Sequence, residues 1–273
     1  MNIIPTVHPM QRNAGSARLR VTGVSGNTML ENMYQSGNAK LRIPERHQSG
    51  PLEAVMINIS GGMTGGDSLD WTFSAQDSAE LTLTSQACEK IYKSGSGQAV
   101  ANIALSASRG SRINWLPQET IVFDRANLLR KIDIDLSKCA SALMVESLVF
   151  GRKAMGEIVK DAEIRDRWRV HQNGVLIHAE EFRICGAVDE QLSCAAIAAG
   201  NKALATVLFV SPSVEQFVPT LNGIIGESGS VSCWNDKLVL RLLAVDSYDL
   251  RHSLIPVIQC LAGGQRLPKC WTL

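Results

Sequence analysis

The sequence has few of the patterns that mark metal-binding or disulfide-rich proteins. Seven cysteines are scattered over 273 residues, and no two of them form a Cys-x-x-Cys pair, which argues against a structural zinc site and a disulfide framework. The five histidines contain no His-x-His or His-x-x-x-His pair, so a high-affinity nickel or zinc cage is not expected. We therefore expect free thiols, as in a reducing compartment.

The sequence also lacks a charge bias and a long apolar run. Its 27 basic and 26 acidic residues leave a formal net charge of +1, which favours neither nucleic acid nor an anionic membrane surface as a partner. The longest apolar run, Ala203–Val210, is interrupted by Thr206 and is too short to span a bilayer. The first eight residues have neither a basic start nor an apolar stretch, so no signal peptide is expected. We expect a cytoplasmic protein.

Residues 58–67 carry the most unusual local composition, with four glycines among the six positions from Gly61 to Gly66. Glycine adopts positive φ without strain and allows close backbone approach, so a tight loop between strands is the simplest interpretation. A nucleotide-phosphate loop is excluded because no Gly-Lys-Ser/Thr follows and no amphipathic helix begins there.

Short alternating runs of apolar and polar residues fill most of the chain. Leu69–Phe73 and Ile132–Leu136 are typical, and such period-two runs predict one strand after another. Asn173-Gly174 predicts a type I′ turn inside a hairpin over Arg167–Ile184, because both central positions of that turn need positive φ. No long amphipathic helix is expected before residue 195.

The last quarter of the chain changes character. Ala203–Val210 is expected to be a strand, followed by a helix that begins at Ser211-Pro212 and is kinked at Pro219. Two more strands and a second helix with Pro256 follow. The predicted fold is mainly β, a β-solenoid-like or sandwich body over about 15–190, with a two-helix α+β segment over about 195–273. Without a visible linker, residues 1–273 are interpreted as one domain.

Two carboxylates stand out by their context. Glu146 is the only charge in the apolar run from Ala142 to Phe150, which predicts a strand buried on both faces. Glu180 shares a face with His178 and Phe182. A buried unpaired carboxylate is costly, so each either forms an ion pair with an arginine or faces a wet internal cavity, which Asp67 would join. The candidate arginines are Arg152, Arg167 and Arg183.

Two further segments have simple structural interpretations. Glu89-Lys90 and Lys93 predict a solvated charged turn. Trp115–Glu119 predicts a strand that is cut by Pro117 and ends with a packed indole.

Five blocks of this sequence together resemble one family. They are Gly61–Asp67, Thr84–Tyr92, Trp115–Ile121, Gly151–Glu157 and Asp166–Trp168, and they occur in the order of the signature blocks of the urease accessory protein UreD, also called UreH. The resemblance extends over nearly the whole chain. Cys88 is a departure, because a smaller residue is commoner there; it leaves open a soft ligand that the family does not generally use.

The resemblance implies a non-catalytic chaperone for nickel insertion into urease. Such a protein binds the urease apoprotein and the accessory protein UreF, and through UreF the nickel GTPase UreG. No cofactor is tightly bound, but Ni²⁺ passes along a carboxylate-lined tunnel. By motif position, Asp67, Glu180 and Glu146 belong to that path, with Ser85 and Glu89 as further candidates. The C-terminal helix and the segment 267–271 are expected near the UreF contact.

Two alternatives from other classes stay open at this point. Glu146 and Glu180 are the acid–base pair that a glycoside hydrolase would need, although no Ser/His/Asp or Cys/His arrangement accompanies them. A β-rich interaction module with no metal role also fits the composition.

Overall fold

The computed structural model describes residues 11–45, 50–264 and 266–272, and strands dominate these residues. They form two sheets. Seven of the described strands make up sheet A, which reads across as β14 (Val175–Ala187), β13 (Asp161–Gln172), β11 (Asn127–Leu136), β8 (Ala99–Ala107), β5 (Ser68–Gln76), β1 (Ala14–Val24) and β2 (Asn27–Gly37).

The second sheet, sheet B, contains ten of the described strands. Its main path is β16 (Gly229–Trp234), β17 (Lys237–Ala244), β15 (Ala203–Val210), β12 (Ser141–Phe150), β9 (Arg112–Leu116), β6 (Glu80–Ser85), β4 (Leu52–Asn58) and β3 (Ala39–Arg42). Two short strands complete it: β10 (Thr120–Val122) pairs with β12 and with β7 (Glu89–Ile91).

The central part of the chain winds as a solenoid. From β4 to β13 it passes back and forth between the sheets, and each turn adds one strand to each sheet in parallel with the one before. Antiparallel strands close both ends. The predicted solenoid-like, mainly β fold is confirmed. No repeat of fixed length marks these turns in the sequence, because only alternation, not residue identity, is needed to bury one face of each strand.

The helices lie mainly in the C-terminal part, as expected. They are α1 (Val188–Ser193), α2 (Val218–Ile225) and α3 (Ser247–Leu261). The prediction of one kinked helix from Ser211 was wrong in detail: a 3₁₀ turn over Val214–Phe217 precedes α2, and Pro219 lies in the first turn of α2. Proline is tolerated there because the first amides of a helix have no intrahelical partner.

Apolar side chains fill two adjoining cores. One lies between the sheets, and the other lies between sheet B and the helices α2 and α3. Strand β12 belongs to both, with Met144 and Leu148 facing sheet A and Leu143 and Val145 facing the helices. The prediction that this strand is buried on both faces is therefore confirmed.

Three further local predictions concern the hairpin, the division into domains and membrane-spanning segments. The hairpin around Asn173-Gly174 is present, with φ of 51° and 77° at the two turn residues. Strand β15 lies beyond residue 195 and pairs with β12, so sheet B extends into the C-terminal part of the chain. The interpretation of residues 1–273 as one domain stays a prediction. Within the described residues, no helix is long and apolar enough to cross a membrane. His8 and His47 lie outside the described residues.

Candidate functional site

An internal cavity of about 170 Å³ lies between the sheets beneath the glycine-rich loop. Its polar and charged lining includes Ser85, Glu89, Arg130 and Glu146, and apolar residues such as Met63 also line it. Three of the five predicted site residues, Ser85, Glu89 and Glu146, thus share one cavity. Asp67 and Glu180 do not line it.

Arg130 organises the charged part of this cavity. It stands on β11 beside Ala101 of β8 on one side and Asp166 of β13 on the other. Its Nε lies 3.1 Å from Asp166 Oδ1, and its Nη2 lies 2.5 Å from Asp166 Oδ2. Burial alone would lower the pKa of Arg130, but the charges of Asp166 and Glu146 outweigh it and raise the pKa. The arginine therefore stays charged inside the protein.

Glu146 reaches the same arginine from the opposite sheet. Arg130 Nη1 lies 2.5 Å from Glu146 Oε2, and Trp115 Nε1 donates a 2.7 Å hydrogen bond to Glu146 Oε1. Burial raises the pKa of Glu146 to about 7, although Arg130 opposes the shift. The expected arginine partner exists, but it is Arg130, not Arg152, Arg167 or Arg183; of these four arginines only Arg130 is buried. The indole of Trp115 is packed as predicted, and it also binds the carboxylate.

Glu89 lies on the side of the cavity that is nearer to solvent. Asn58 Nδ2 donates a 3.0 Å hydrogen bond to its Oε1, and β7 brings it opposite Thr120 of β10. Burial raises the pKa of Glu89 to about 7, while the hydrogen bond from Asn58 acts in the other direction. The expectation of a solvated charged turn was therefore wrong for Glu89, because β7 turns its carboxylate inward; Lys90 is exposed.

The glycine-rich loop covers one side of the cavity. Met63 N donates to Lys90 O and Tyr92 N donates to Met63 O, which ties the loop to β7. A Cβ at Gly62 would lie 2.4 Å from the ring of Tyr92 and 2.6 Å from Lys90 O. Glycine is needed here because the loop backbone lies directly against the next turn of the solenoid.

Asp67 holds the end of that loop in shape. Its carboxylate accepts hydrogen bonds from Asn13 N at 2.9 Å and from Thr64 N at 2.8 Å, and its side chain is buried. These contacts give Asp67 a local structural role, separate from the cavity.

Glu180 lies at the far end of sheet A, on β14. Its Oε2 lies 2.5 Å from Arg241 Nη2 of β17, so the ion pair predicted for Glu180 also exists, with an arginine outside the three candidates. His178 lies on the same face and is buried; its Nε2 has no hydrogen-bond partner among the described residues. Burial lowers the pKa of His178, and Glu180 opposes this shift.

A second polar group borders the cavity where β6 leads into β7. Cys88 Sγ donates to Glu119 Oε2 at 3.3 Å, and Glu119 Oε1 lies 3.5 Å from Arg251 Nε. Burial and the Glu119 carboxylate together raise the pKa of Cys88 to about 11. Ser85 Oγ accepts from Gln118 N at 2.8 Å and donates to Ala87 O at 2.9 Å. Ser85 therefore fixes the turn that carries Cys88.

The charged cluster does not have the ligand set of a tight metal site. Among the described residues, no three His, Cys, Asp or Glu side chains are grouped closely enough to hold a metal ion. The carboxylates of Glu89 and Glu146 lie in this cavity with the positive charge of Arg130 between the sheets.

Sequence reasoning missed Arg130, Asp166 and Trp115 as members of the charged cluster. The alternation of β11 carried the signal, since Arg130 has the same parity as the buried Ile132 and Ile134. Asp166 likewise shares parity with Ile164 and Trp168 on β13. A charge on the inward parity of a strand marks a buried polar contact.

These features define a class of protein: a β-solenoid with a helical C-terminal part and a charged cavity between its sheets. The family model described as "UreD urease accessory protein" matches residues 13–272. The chain belongs to the UreD urease accessory protein family.

Individual relatives agree with this assignment over nearly their whole length. The chain is 47% identical over 269 residues to "Urease accessory protein UreD" of Brucella suis, covering 97% of this chain and 96% of the relative. It is 43% identical over 274 residues to the protein of that name from Rhizobium etli, with 100% of both chains covered. For the protein of that name from Agrobacterium fabrum the identity is 43% over 263 residues, with 96% and 92% covered.

Proposed function

We propose that this chain is a non-catalytic chaperone of urease maturation in the cytoplasm. It binds the urease apoprotein and UreF, contacts the nickel GTPase UreG through UreF, and conducts Ni²⁺ toward the urease active site. Family membership supports a role in urease maturation. The observation that carries the nickel part is the cavity in which Ser85, Glu89 and Glu146 come together between the sheets.

A row of polar positions extends from this cavity toward Glu180. Glu146 of β12 stands opposite Thr206 of β15, which stands opposite Arg241 of β17. Neighbouring strands are about 4.8 Å apart, so the backbones of Glu146 and Arg241 are separated by about 10 Å. Arg241 in turn contacts Glu180. This row supports a path between the two carboxylates along the space between the sheets.

The balance of charges in the cluster supports the passage of a divalent cation through the cavity and not its long-term binding there. Arg130 is shared by Glu146 and Asp166, so the cluster has more negative than positive groups when its acids are ionised. A divalent cation is attracted there, while the fixed guanidinium limits how long it stays. The metal is the cargo of the protein and not a resident cofactor.

The hydrolase alternative is less well supported by the contacts. Glu146 is bound by Arg130 and Trp115, and Glu180 is bound by Arg241, so neither carboxylate is left for proton transfer to a substrate. An interaction module without a metal role predicts instead that the cavity residues contribute only to stability. Calorimetric titration with Ni²⁺ separates that alternative from the proposal.

The C-terminal helix is a supporting element for the proposed UreF contact. Trp271 is buried and donates its Nε1 hydrogen to Leu116 O at 3.0 Å, and the Arg251 guanidinium lies over its ring at 5.1 Å. Segment 267–271 therefore anchors α3 to sheet B. The exposed side of α3, which includes Tyr248 and His252, is left for a partner.

Complementation tests the proposal. Cells that carry a urease operon without its UreD gene receive this chain, and urease activity and bound nickel are measured. Restored activity with nickel in urease is expected. A soluble chain that neither restores activity nor pulls down the other accessory proteins would contradict the proposal.

A further inference from the structure

We propose that the free edge of β2 is a self-association surface, on which a second copy of this chain pairs its own β2 antiparallel to the first. The pairing joins the sheets A of the two copies into one continuous sheet. This self-association is independent of the nickel passage proposed above.

Strand β2 is a long, uncovered edge of sheet A. Among the described residues it pairs only with β1, and nine of its eleven residues are exposed. A strand with one unpaired side presents a row of amide and carbonyl groups that another strand can bind. The backbone of this edge is therefore complementary to a further β-strand.

The middle of β2 also exposes a group of large apolar side chains. They are between 42% and 52% exposed and comprise Met29, Leu30, Met33 and Tyr34. Leu30 and Met33 lie opposite the buried Val21 and Leu19 of β1, so they extend the inner apolar face of sheet A past its last covered strand. A contiguous apolar patch of this kind marks an interaction surface.

The three other sheet edges are protected against strand pairing. Strand β3 has only four residues, of which Lys40 and Arg42 are basic. Strand β14 exposes Glu181 and Arg183, and β16 is short and packs its Val231 side against the helical core. Short length, charge and cover are the usual protections of an edge strand, and β2 has none of them.

The side chains of β2 follow a pattern that is symmetric about the middle of the strand. Its pairing with β1 shifts by one residue at Glu31. Because of this bulge, Leu30 and Met33 both lie on the inner face of sheet A, and Met29 and Tyr34 both lie on the outer face. In a regular strand, residues three positions apart lie on opposite faces.

This symmetry is what a second copy of the same strand requires. An antiparallel β2 with the two-fold axis just after Glu31 brings Leu30 of one copy opposite Met33 of the other, and Met29 opposite Tyr34. The two residues of each pair lie on the same face, as stabilising cross-strand contacts require. Both copies use the same patch, which closes the contact as a dimer.

The charges at this edge do not oppose the pairing. Glu31 is the only charged residue of β2, and Arg20 of β1 lies 3.5 Å from its carboxylate. Each copy therefore brings its own counter-charge, so two identical edges meet without net repulsion.

Sedimentation equilibrium of the purified full chain tests the pairing. The mass is expected to rise with concentration toward twice the 29.6 kDa of one chain. Leu30→Lys and Met33→Lys each place a charge on the edge and should weaken the dimer by about tenfold or more, since edge lysines prevent strand pairing. Leu176→Lys is the matched control, because Leu176 is a 50% exposed apolar residue of β14, and it should leave the association unchanged.

Hydrogen exchange of the wild-type chain locates the contact without any substitution. Residues 27–37 should exchange more slowly at the highest concentration than at the lowest. A chain that stays monomeric up to about 100 µM overturns the proposal, as does a dimer that persists in both lysine variants or leaves exchange of residues 27–37 unchanged. If these residues become protected only when UreF or the urease apoprotein is added, the edge binds that protein and the proposal is overturned as well.

Discussion

Arg130 and Glu146 face each other across the space between the sheets, with Arg130 Nη1 2.5 Å from Glu146 Oε2. Asp166 binds the other side of the same guanidinium. Because one buried cation serves two buried acids, its removal leaves both without compensation. Of the residues in this cluster, Arg130 is therefore the one whose replacement is expected to lower the free energy of unfolding most.

Arg130→Met is expected to lower the free energy of unfolding by about 3–5 kcal/mol at pH 7.5, since breaking a buried ion pair from one side leaves uncompensated charge. Urea unfolding measures the change. Arg20→Met is the control, because the contact between Arg20 and Glu31 is exposed and 3.5 Å long, and such pairs contribute about 1 kcal/mol or less. Equal effects of the two substitutions would contradict this interpretation of the cluster.

Glu89 is expected to make stability depend on pH. Its pKa is about 7 in the folded protein and 4.5 in the unfolded reference. Between these values the folded state holds a proton that the unfolded state has lost, so its contribution to stability falls as pH rises from about 4.5 to about 7 and is constant above that. This shift in pKa corresponds to a loss of unfolding free energy of about 3 kcal/mol across that pH range.

Glu89→Gln tests this by removing the titrating group. The variant should show a smaller loss of unfolding free energy than the parent between pH 5 and pH 7.5, measured by urea titration at several pH values. Glu190→Gln, at an exposed position of α1, should leave the profile unchanged. A parent and a Glu89→Gln variant with the same profile would exclude Glu89 as its source.

Asp67→Ala is expected to destabilise the glycine-rich loop, because the amides of Asn13 and Thr64 lose their acceptor. Hydrogen bonds to a charged group contribute about 1.5–3 kcal/mol each, so the loss of both is expected to lower the free energy of unfolding by about 3–6 kcal/mol. Asp67→Asn keeps one oxygen acceptor and should cost less. Hydrogen exchange should show faster opening of residues 61–67 in the alanine variant; if protection is unchanged, the carboxylate does not hold the loop.

The tight packing of the loop predicts a contrast between two glycines. A Cβ at Gly65 would lie 2.0 Å from Ser94 Oγ and 2.4 Å from Ser96 O, whereas a Cβ at Gly95 meets no atom within 4 Å. Gly65→Ala should therefore cost about 1–3 kcal/mol through overpacking, and Gly95→Ala should stay within about 0.5 kcal/mol. Thermal unfolding compares the two variants, and similar melting temperatures would contradict the described loop contacts.

The sequence predicted best those features that depend on the residue pattern of a single strand. Alternation predicted the strands, and the apolar flanks of Glu146 predicted its burial. The partner of each carboxylate was not predictable, because Arg130 meets Glu146 only when the winding brings β11 and β12 face to face. Asp67 and Glu89 show the same limit: both lie near turns, and only the packing of the glycine-rich loop on β7 puts Glu89 in the cavity and Asp67 outside it.

Glu180→Ala is expected to leave assembly with the partner proteins intact but to lower the nickel content of urease. Glu180 faces the inside of the solenoid and is 8% exposed, so its removal changes the proposed path and not the outer surface. Glu181→Ala is the matched control, because this neighbour points outward and pairs with Arg165 and Arg169. Co-purification measures assembly, and metal analysis of the isolated urease measures nickel. If urease matured with the Glu180→Ala variant contained as much nickel as urease matured with the Glu181→Ala variant, Glu180 would not belong to the path, and the cavity residues Glu89 and Glu146 would have to account for passage without it.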